Sequence, residues 1–202
     1  KKMKSLFQNT RKPEGLGGRI MLNMMNAGHA MLSKWGLSHI ALDREDDVLD
    51  VGCGGGANIS ALLTMCRRVS GLDYSSVSVE KAISVNSVAV ASGRCSIVQG
   101  DVQEMPFEEC SFDAVTAFET VYFWDDMLRS FAEIRRVLKP GGIFLICNES
   151  DGTKKSDERW LEKIEGMTIY TSADLSGLLE SAGFANIKVY NKKGWICVTA
   201  RK

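Results

Sequence analysis

An apolar strand that runs directly into a glycine-rich turn constrains this chain more than any other feature. Val48 to Val51 is a short apolar run with one acid, Asp50, and it opens into Gly52 to Gly56. Glycine has no Cβ, so it adopts positive φ angles and lets a ligand approach the backbone closely. A helix that begins after such a turn presents unpaired N–H groups and the positive end of its dipole. The segment predicts a strand–turn–helix unit that holds a small, partly anionic, nucleoside-bearing ligand.

Two classes of ligand fit the spacing of these glycines. Gly52-x-Gly54-x-Gly56 fits loops for S-adenosylmethionine, whereas Gly52-x-Gly54-x-x-Ala57 fits the looser dinucleotide fingerprint, G-x-G-x-x-G/A. The turn alone leaves both alternatives open, so the rest of the chain has to separate them.

Length and charge restrict the class of protein. The 202 residues are 45% hydrophobic and 25% charged, with a formal net charge of zero, which is typical of one globular domain with a substantial core. A non-specific nucleic-acid binder usually carries a basic excess. No apolar run approaches the ~20 residues of a membrane-spanning helix, and no signal-peptide pattern is present. We expect a cytoplasmic protein with no nucleic-acid or membrane partner.

The distribution of cysteine and histidine gives no sign of a metal centre. Six cysteines are scattered without a C-x-x-C pair, and His29 and His39, which are ten residues apart, add no cluster of metal ligands. Zinc sites usually need closely spaced Cys and His ligands. The pattern favours reduced thiols and predicts no metal site.

Short apolar runs alternate with helical patterns from residue 48 onward, which predicts a parallel sheet with helices on both faces. A Met-rich stretch, residues 20–42, predicts one or two helices before it. We expect an N-terminal tail and helical cap (1–45) and a ligand-binding domain (46–202), together forming one structural domain. The predicted strands are Val48 to Val51, Val69 to Leu72, Ser96 to Val98, Phe112 to Ala117 and Ile143 to Cys147. The predicted helices are Ile59 to Cys66, a helix from a cap at Ser75 or Ser76 to Ala91, and Asp126 to Leu138, which Pro140-Gly141-Gly142 ends.

The C-terminal part departs from this alternation. Thr171-x-x-Asp174 is a capping-box pattern, and the helix that it opens ends at Gly183. Two extended runs, Ile187 to Tyr190 and Trp195 to Ala200, follow with only four residues between them. That gap is too short for a helical crossover, so the runs predict an antiparallel hairpin at the edge of the sheet.

Four motifs, in order and at suitable spacing, separate the two ligand classes. They are Val48 to Gly56, Gly71 to Ser75, Gly100 to Phe107, and Phe112 to Val115 followed by Arg136 to Gly142. With them, residues 46–201 resemble a class I S-adenosylmethionine-dependent methyltransferase, similar to the small bacterial ubiquinone/menaquinone-type proteins (methyltransferase domain 11). The resemblance implies an α/β, Rossmann-like, doubly wound sheet of seven mostly parallel strands with an antiparallel C-terminal strand.

The resemblance also implies one pose for S-adenosylmethionine, whose product is S-adenosylhomocysteine. The glycines would pass close to the methionine moiety, and Asp50 would help to hold its ammonium group. Asp73 would accept both ribose hydroxyls, while Asp101 and the Val102 N–H would contact adenine. The complete set of expected cofactor-binding residues is Asp50, Gly52, Cys53, Gly54, Gly56, Asp73, Tyr74, Ser75, Asp101, Val102, Phe118 and Glu119.

The segment after the fourth predicted strand should border the acceptor, because ligands of open α/β sheets sit at the C-terminal ends of the strands. Tyr122 and Trp124 are the candidate acceptor residues, with ordinary packing as the alternative. Asn148 and Glu149 follow the fifth strand and are similarly placed. The Met-rich region is either a lid, from which Asn26 and His29 reach the acceptor, or a packed helix. The catalytic base is unassigned; the weak candidates are Glu119, Tyr122, His29 and Glu149.

Three hypotheses follow. The leading one is methyl transfer to a small-molecule acceptor. The alternatives are a non-catalytic subunit that binds the cofactor and a nicotinamide-dependent oxidoreductase, which the hairpin and the Asp101 segment oppose. The identity of the acceptor, the atom that is methylated and the oligomeric state do not follow from the sequence.

Overall fold

A computed structural model describes residues 30–202, apart from the side chains of residues 155, 156, 158 and 159. The predicted Met-rich region is therefore described only from Ala30 onward, where helix α1 covers Ala30–Leu37. The candidate residues Asn26 and His29 lie outside the described residues.

Within the described chain, seven strands form one sheet and helices cover it. None of these helices is long and apolar enough to cross a bilayer. The strands are β1 Asp47–Val51, β2 Arg68–Asp73, β3 Cys95–Gln99, β4 Phe112–Phe118, β5 Leu138–Asn148, β6 Ala185–Lys192 and β7 Trp195–Arg201. The helices after α1 are α2 Ala57–Leu62, α3 Ser76–Val85, α4 Ser87–Ala91, α5 Met127–Val137, α6 Lys155–Lys163 and α7 Ser172–Ser181, with a 3-10 turn at Val121–Phe123.

The order of the strands is β3-β2-β1-β4-β5-β7-β6. Strands β1 to β5 are parallel, whereas β7 runs antiparallel to both β5 and β6. The predicted fold class is confirmed, including the antiparallel C-terminal strand. A dinucleotide-binding sheet has the different order 3-2-1-4-5-6.

Alternating residues of β5 supply the cores on the two faces of the sheet. Phe144 and Ile146 pack with residues of α5 and α7, whereas Leu145 and Cys147 pack with residues of α1 and α2. This alternation follows from the two-residue period of a strand. Helix α1 is therefore part of the packed structure, held against one face of the sheet.

The long helix predicted up to Ala91 is wrong, because it is divided at Asn86 into α3 and α4. The Asn86 Nδ2 donates to the carbonyls of Gly56 and Ala82, both at 3.0 Å. Its Oδ1 accepts a hydrogen bond of 2.7 Å from the Ser60 hydroxyl. This buried side chain fixes the helix break against the glycine turn.

The predicted gap between a helix that ends at Leu138 and a strand that begins at Ile143 is also wrong. Helix α5 ends at Val137, and β5 begins at once at Leu138. Phe112 pairs with Leu138 but Ala114 pairs with Ile143, so residues 139–142 form an irregularity in the ladder. Pro140-Gly141-Gly142 thus shapes a bulge within the strand and does not end the helix. Helix α2 likewise differs from the predicted range Ile59 to Cys66, because it begins two residues earlier and ends four residues earlier.

The C-terminal part contains one helix that the sequence did not indicate, α6, and one that it did, α7. The predicted capping box is present at the start of α7, where Thr171 and Asp174 exchange side-chain and backbone hydrogen bonds. The predicted hairpin is confirmed as β6 and β7, joined by Lys193 and Gly194 with φ of +53° and +90°. Positive φ at both turn positions matches the twist of a two-residue hairpin.

Candidate active site

The glycine turn between β1 and α2 has a backbone that glycine adopts without strain. Gly52, Gly54 and Gly56 have φ of +70°, +52° and +81°, the left-handed region that disfavours residues with a Cβ. The N–H groups of Gly52 and Cys53 donate to the Leu72 carbonyl at 2.7 and 3.0 Å. The turn is thereby fixed against the end of β2.

Two of these glycines also touch neighbouring elements closely. A Cβ on Gly52 would overlap the Thr120 side chain that follows β4. A Cβ on Gly56 would lie 2.8 Å from Ala82 Cα and 2.7 Å from Asn86 Nδ2. The turn therefore packs between the end of β4 and helix α3, with no room for side chains at these two positions.

The buried Asp73 carboxylate ties the end of β2 to the turn. Its Oδ2 accepts from the Gly54 N–H and its Oδ1 from the Ser75 N–H, both at 2.9 Å. Burial raises the pKa of Asp73, while these two backbone donors oppose the shift. Each oxygen retains a lone pair for a further donor.

Ser75, and not Asp73, is the N-cap of α3, because the Ser75 side chain accepts from the Ser78 N–H. This leaves Asp73 facing the cavity described below. Tyr74, between them, is 40% exposed and lines the same cavity.

Asp50 is buried within β1. Its Oδ1 accepts a hydrogen bond of 2.7 Å from the Thr116 hydroxyl, whereas its Oδ2 has no hydrogen-bond partner among the described residues. Burial, with a contribution from the Asp73 charge, raises the pKa of Asp50 to about 7. A buried carboxyl with one unpartnered oxygen holds its charge readily only when a cation lies close by.

A cavity of about 610 Å³ opens over the C-terminal ends of the parallel strands, within the range of small-molecule sites. Residues from α1, the glycine turn, the end of β2, the Gly100–Gln103 segment and the segment after β4 contribute to it. Of the residues expected from the sequence, it is lined by Gly52, Cys53, Gly54, Asp73, Tyr74, Asp101, Val102, Phe118, Glu119 and Trp124.

Six expected residues do not line this cavity: Asp50, Gly56, Ser75, Tyr122, Asn148 and Glu149. All of them except Asn148 are next in the chain, or hydrogen-bonded, to a residue that does. Asp50 lies under the turn, Ser75 contacts Asp73, and Tyr122 contacts Glu119. These residues can act on a ligand through the lining residues.

Glu119, which follows β4, has an unusual backbone and a fixed carboxyl group. Its φ of +57° is uncommon for a residue with a side chain and costs on the order of 1 kcal/mol or more. Its Oε1 accepts from the Tyr122 hydroxyl at 3.1 Å and from the Glu149 N–H. The Tyr122 oxygen accepts in turn from the Ser150 N–H at 3.0 Å.

Burial and the neighbouring Glu149 charge raise the pKa of Glu119 to about 8, although the Glu149 N–H and the Tyr122 hydroxyl oppose the shift. Burial and the Glu119 charge raise the pKa of Tyr122 well above its usual value. Tyr122 therefore serves as a neutral donor to Glu119. Glu119 itself can exchange a proton near neutral pH.

Asn148, at the end of β5, is fully buried. Neither of its side-chain polar atoms has a hydrogen-bond partner among the described residues, and it does not line the cavity. Its neighbour Glu149 is half-buried and meets Glu119 through its backbone N–H.

The sequence analysis missed Asn86, which binds the glycine turn through the Gly56 carbonyl, and Lys34, which lines the cavity. Thr120 and Phe123 lie in the stretch after the fourth predicted strand that was expected to border the acceptor, and both line the cavity. Asn86 lies inside a helical pattern, where only its poor helix propensity marks it.

Cys53 contributes a protonated thiol to the cavity. Burial raises its pKa well above the usual value, and the charges of Asp73 and Asp50 raise it further. A thiol of this kind is a poor nucleophile and a poor metal ligand. Across residues 30–202, no group of three or more His, Cys, Asp or Glu residues is placed to hold a metal ion.

Comparison with known proteins agrees with this geometry. Residues 49–146 match the family model described as a methyltransferase domain. Cycloartenol-C-24-methyltransferase 1 of rice is 38% identical over 100 residues, which cover 49% of this chain and 29% of the relative. A Mycolicibacterium smegmatis protein, described as a probable S-adenosylmethionine-dependent methyltransferase, is 32% identical over 139 residues, or 68% of this chain and 51% of the relative.

The chain thus spans only about a third to a half of the length of these two relatives. Similar proteins come from plants and fungi as well as bacteria. The similarity therefore extends beyond the small bacterial ubiquinone/menaquinone-type proteins that the sequence motifs resemble.

Solved structures share this fold. A Haloferax volcanii protein, solved in complex with the Trm112 methyltransferase activator, matches with a TM-score of 0.82 at 21% identity, over 100% of this chain and 99% of that one. Geranyl diphosphate C-methyltransferase from Streptomyces coelicolor, solved with S-adenosyl-L-homocysteine, matches with a TM-score of 0.74 at 14% identity, over 85% of this chain and 77% of that one. The matched domain, the strand order and the glycine turn agree, and the chain belongs to the class I S-adenosylmethionine-dependent methyltransferases.

Proposed function

We propose that this chain binds S-adenosylmethionine in the 610 Å³ cavity and transfers its methyl group to a small-molecule acceptor, releasing S-adenosylhomocysteine. The observation that carries the proposal is the junction of Gly54 and Asp73 at the edge of the cavity. It places a backbone that a ligand can approach beside a buried carboxylate with free lone pairs.

The residues present fit this cofactor. Asp73 retains lone pairs for the two ribose hydroxyls. Asp101 and Val102 lie further along the same cavity, where a carboxylate and a backbone N–H suit the adenine edge. When bound, the cofactor supplies a methyl group already activated by a positive sulfur.

Asp50 suits the ammonium group of the same cofactor, acting through the turn or a bridging water. Its unpartnered Oδ2 and its raised pKa of about 7 are what a nearby cation would stabilise in the charged form. The carboxyl lies beneath the turn and not in the cavity, so its effect on the ligand is electrostatic.

The contribution of the chain to the reaction is chiefly alignment and exclusion of water. Phe118 and Trp124 form apolar parts of the cavity beside Glu119. Holding two reactants in line can lower a barrier by roughly 7–11 kcal/mol. The walls can do this without any covalent bond to the protein.

A small molecule is the favoured acceptor. The site is a cavity with residues on several sides, and a duplex or a folded protein does not enter such a space. The names of the rice and Streptomyces proteins also describe transfer to small molecules. We expect Trp124 to contact the acceptor directly and Tyr122 to act through Glu119.

One observation favours a second candidate, a cofactor-binding chain that needs a partner for turnover. The Haloferax protein matches this chain over its full length and was solved with an activator. In that case the chain alone would bind the cofactor but transfer no methyl group.

The experiment is to incubate the purified chain with methyl-labelled S-adenosylmethionine and pooled metabolites separated into cationic, neutral and anionic fractions. We expect labelled product and S-adenosylhomocysteine in equal amounts, lost in Asp73→Asn and kept in Glu180→Gln, an exposed carboxyl on α7. Cofactor binding without transfer to any fraction would support the second candidate. A chain that does not bind the cofactor would contradict both.

A further inference from the structure

We propose that the acceptor is an amine, and that the Glu119 carboxyl binds its ammonium group and takes a proton from it before the methyl group is transferred. This inference rests on the proposed function and adds the chemical class of the acceptor. Its starting point is the different surroundings of the two carboxyl oxygens of Glu119.

One oxygen of Glu119 is fixed by the protein. Oε1 accepts from the Tyr122 hydroxyl and the Glu149 N–H, and Tyr122 is itself fixed by the Ser150 N–H. These donors come from the 3-10 turn and from the end of β5, so the carboxyl is clamped between two elements.

The other oxygen, Oε2, accepts no hydrogen bond from any residue of the described chain, although Glu119 lines the cavity. Since Oε1 is clamped, Oε2 is the oxygen left for a ligand. A carboxylate oxygen accepts hydrogen bonds and donates none when charged, so its natural partner carries an N–H or O–H group.

The backbone supports the same conclusion. Glu119 holds φ at +57°, and its N–H donates to the Cys147 carbonyl at 3.0 Å. Glycine would adopt this conformation without strain. Strain of this kind persists where surrounding contacts fix it and often marks a functional position.

The charges around the cavity favour a cation over an anion. Among the described residues that line it, Asp73, Asp101, Glu119 and Asp125 are acidic, and Lys34 is the only basic one. Asp73 and Asp101 are assigned to the ribose and adenine of the cofactor. The carboxyl group that we assign to the acceptor is that of Glu119.

Aromatic rings provide the rest of the acceptor's surroundings. Phe118, Phe123 and Trp124 line the cavity with Glu119. Aromatic faces attract ammonium groups and bind apolar bodies. An amine with an apolar body is complementary both to the rings and to the carboxyl.

The proton step balances without a further reactant. A proton moves from the ammonium nitrogen to Glu119 Oε2 and leaves a lone pair on nitrogen. The nitrogen–carbon bond then forms as the carbon–sulfur bond breaks, and its electron pair stays on sulfur. The pKa of about 8 for Glu119 is compatible with this exchange near neutral pH.

The test measures binding first, by calorimetry on the full chain saturated with S-adenosylhomocysteine. The probes are 2-phenylethylamine, 2-phenylethanol and phenylacetate, which have the same ring and differ in charge. We expect the amine to bind at least tenfold more tightly than the other two. Glu119→Gln should remove this preference, whereas Glu180→Gln should keep it.

Turnover is then measured with S-adenosylmethionine and the amine. We expect methylation on nitrogen, reduced at least 100-fold in Glu119→Gln. Tyr122→Phe removes a hydrogen-bond donor that lowers the pKa of Glu119. The rise in methylation rate that accompanies deprotonation of Glu119 should therefore move to higher pH in this variant. Glu149 and Cys147, the other titratable groups near Glu119, are unchanged in that variant.

Equal binding of the three probes, preference for the alcohol or the carboxylate, or an amine that binds without being methylated would each overturn the amine assignment. If Glu119→Gln loses affinity for S-adenosylhomocysteine itself, Glu119 is a cofactor residue and the inference is wrong. These outcomes leave the proposed function intact, because that function depends on cofactor binding and methyl transfer to any small acceptor.

Discussion

The Asp73 carboxylate joins the end of β2 to the glycine turn, because its Oδ2 accepts a hydrogen bond of 2.9 Å from the Gly54 N–H. The same side chain accepts from the Ser75 N–H before helix α3. One buried carboxyl therefore positions both the turn and the following helix at the edge of the cavity.

Asp73→Ala should abolish cofactor binding and also destabilise the fold, by about 1–3 kcal/mol for buried donors left without a partner. Asp73→Asn keeps one carbonyl oxygen and should lose binding with a smaller cost in stability. Calorimetric titration gives the affinity, and urea unfolding gives the free energy. Unchanged affinity in both variants would show that Asp73 does not hold the ligand.

Gly54→Val should abolish cofactor binding, because Gly54 has φ of +52° and a β-branched residue is strained there. Gly93→Val is the matched control: its φ is +74°, and nothing lies within 4 Å of an added Cβ. Both variants should lose stability from the backbone, and only the first should lose the ligand. Equal affinities in the two variants, measured by the same titration, would disprove a specific role for the turn.

Asp50 should make the stability of the ligand-free protein depend on pH. Its pKa is about 7 in the folded protein and near 3.9 in an unfolded chain. The folded state thus binds the extra proton, so stability is lost as pH rises from about 4 to about 7, at up to ~1.4 kcal/mol per pH unit.

Asp50→Asn removes this contribution while leaving the other titrating groups in place. The free energy of unfolding of the variant minus that of the unchanged protein should therefore increase as pH rises through that range, which means that the variant becomes relatively more stable, and should level off above it. Urea titrations at a series of pH values measure the difference. A difference that stays constant with pH would refute the raised pKa.

Gly36 should be needed for the packing of α1 against the sheet. A Cβ at Gly36 would lie 2.7 Å from Cys147 Sγ and 3.0 Å from Phe118 Cε1. Gly36→Ala should therefore destabilise the protein by about 1–3 kcal/mol, even though alanine favours helices. Because Ser33 and Lys34 of α1 line the cavity, ligand affinity should fall as well.

Two further variants test this explanation. Gly177→Ala, on α7 with nothing within 4 Å of an added Cβ, should stabilise the protein by up to ~1 kcal/mol. Cys147→Ala should restore part of the stability lost in Gly36→Ala. Thermal unfolding measures all of these, and a stabilising Gly36→Ala would mean that α1 does not pack as described.

Much of the sheet could be predicted from the sequence because its signals are local. The β1 run enters a glycine turn directly, and the four residues between the last two extended runs are too few for a helical crossover. Asp73 and Asp101 could be placed at one edge because the ends of parallel strands share that edge. The predicted mostly parallel sheet and its antiparallel C-terminal strand are both confirmed.

Other features depend on contacts between distant residues. The bond from Asn86 to Gly56 spans 30 residues, so the helical pattern around Asn86 gave no sign of the break. Ser150 and Tyr122 are 28 residues apart, and their contact clamps Glu119. Helix α6 was missed because its sequence, KSDERWLEK, is mostly polar, with Trp160 and Leu161 as its apolar residues.

The most direct test of the central claim is parallel calorimetric titration of the purified chain with S-adenosylmethionine, S-adenosylhomocysteine and NADH. We expect micromolar affinity for the first two, no binding of NADH, and loss of all binding in Asp73→Ala. Preferential binding of NADH, or the same affinities in Asp73→Ala, would contradict the assignment of the glycine turn and the reaction proposed from it.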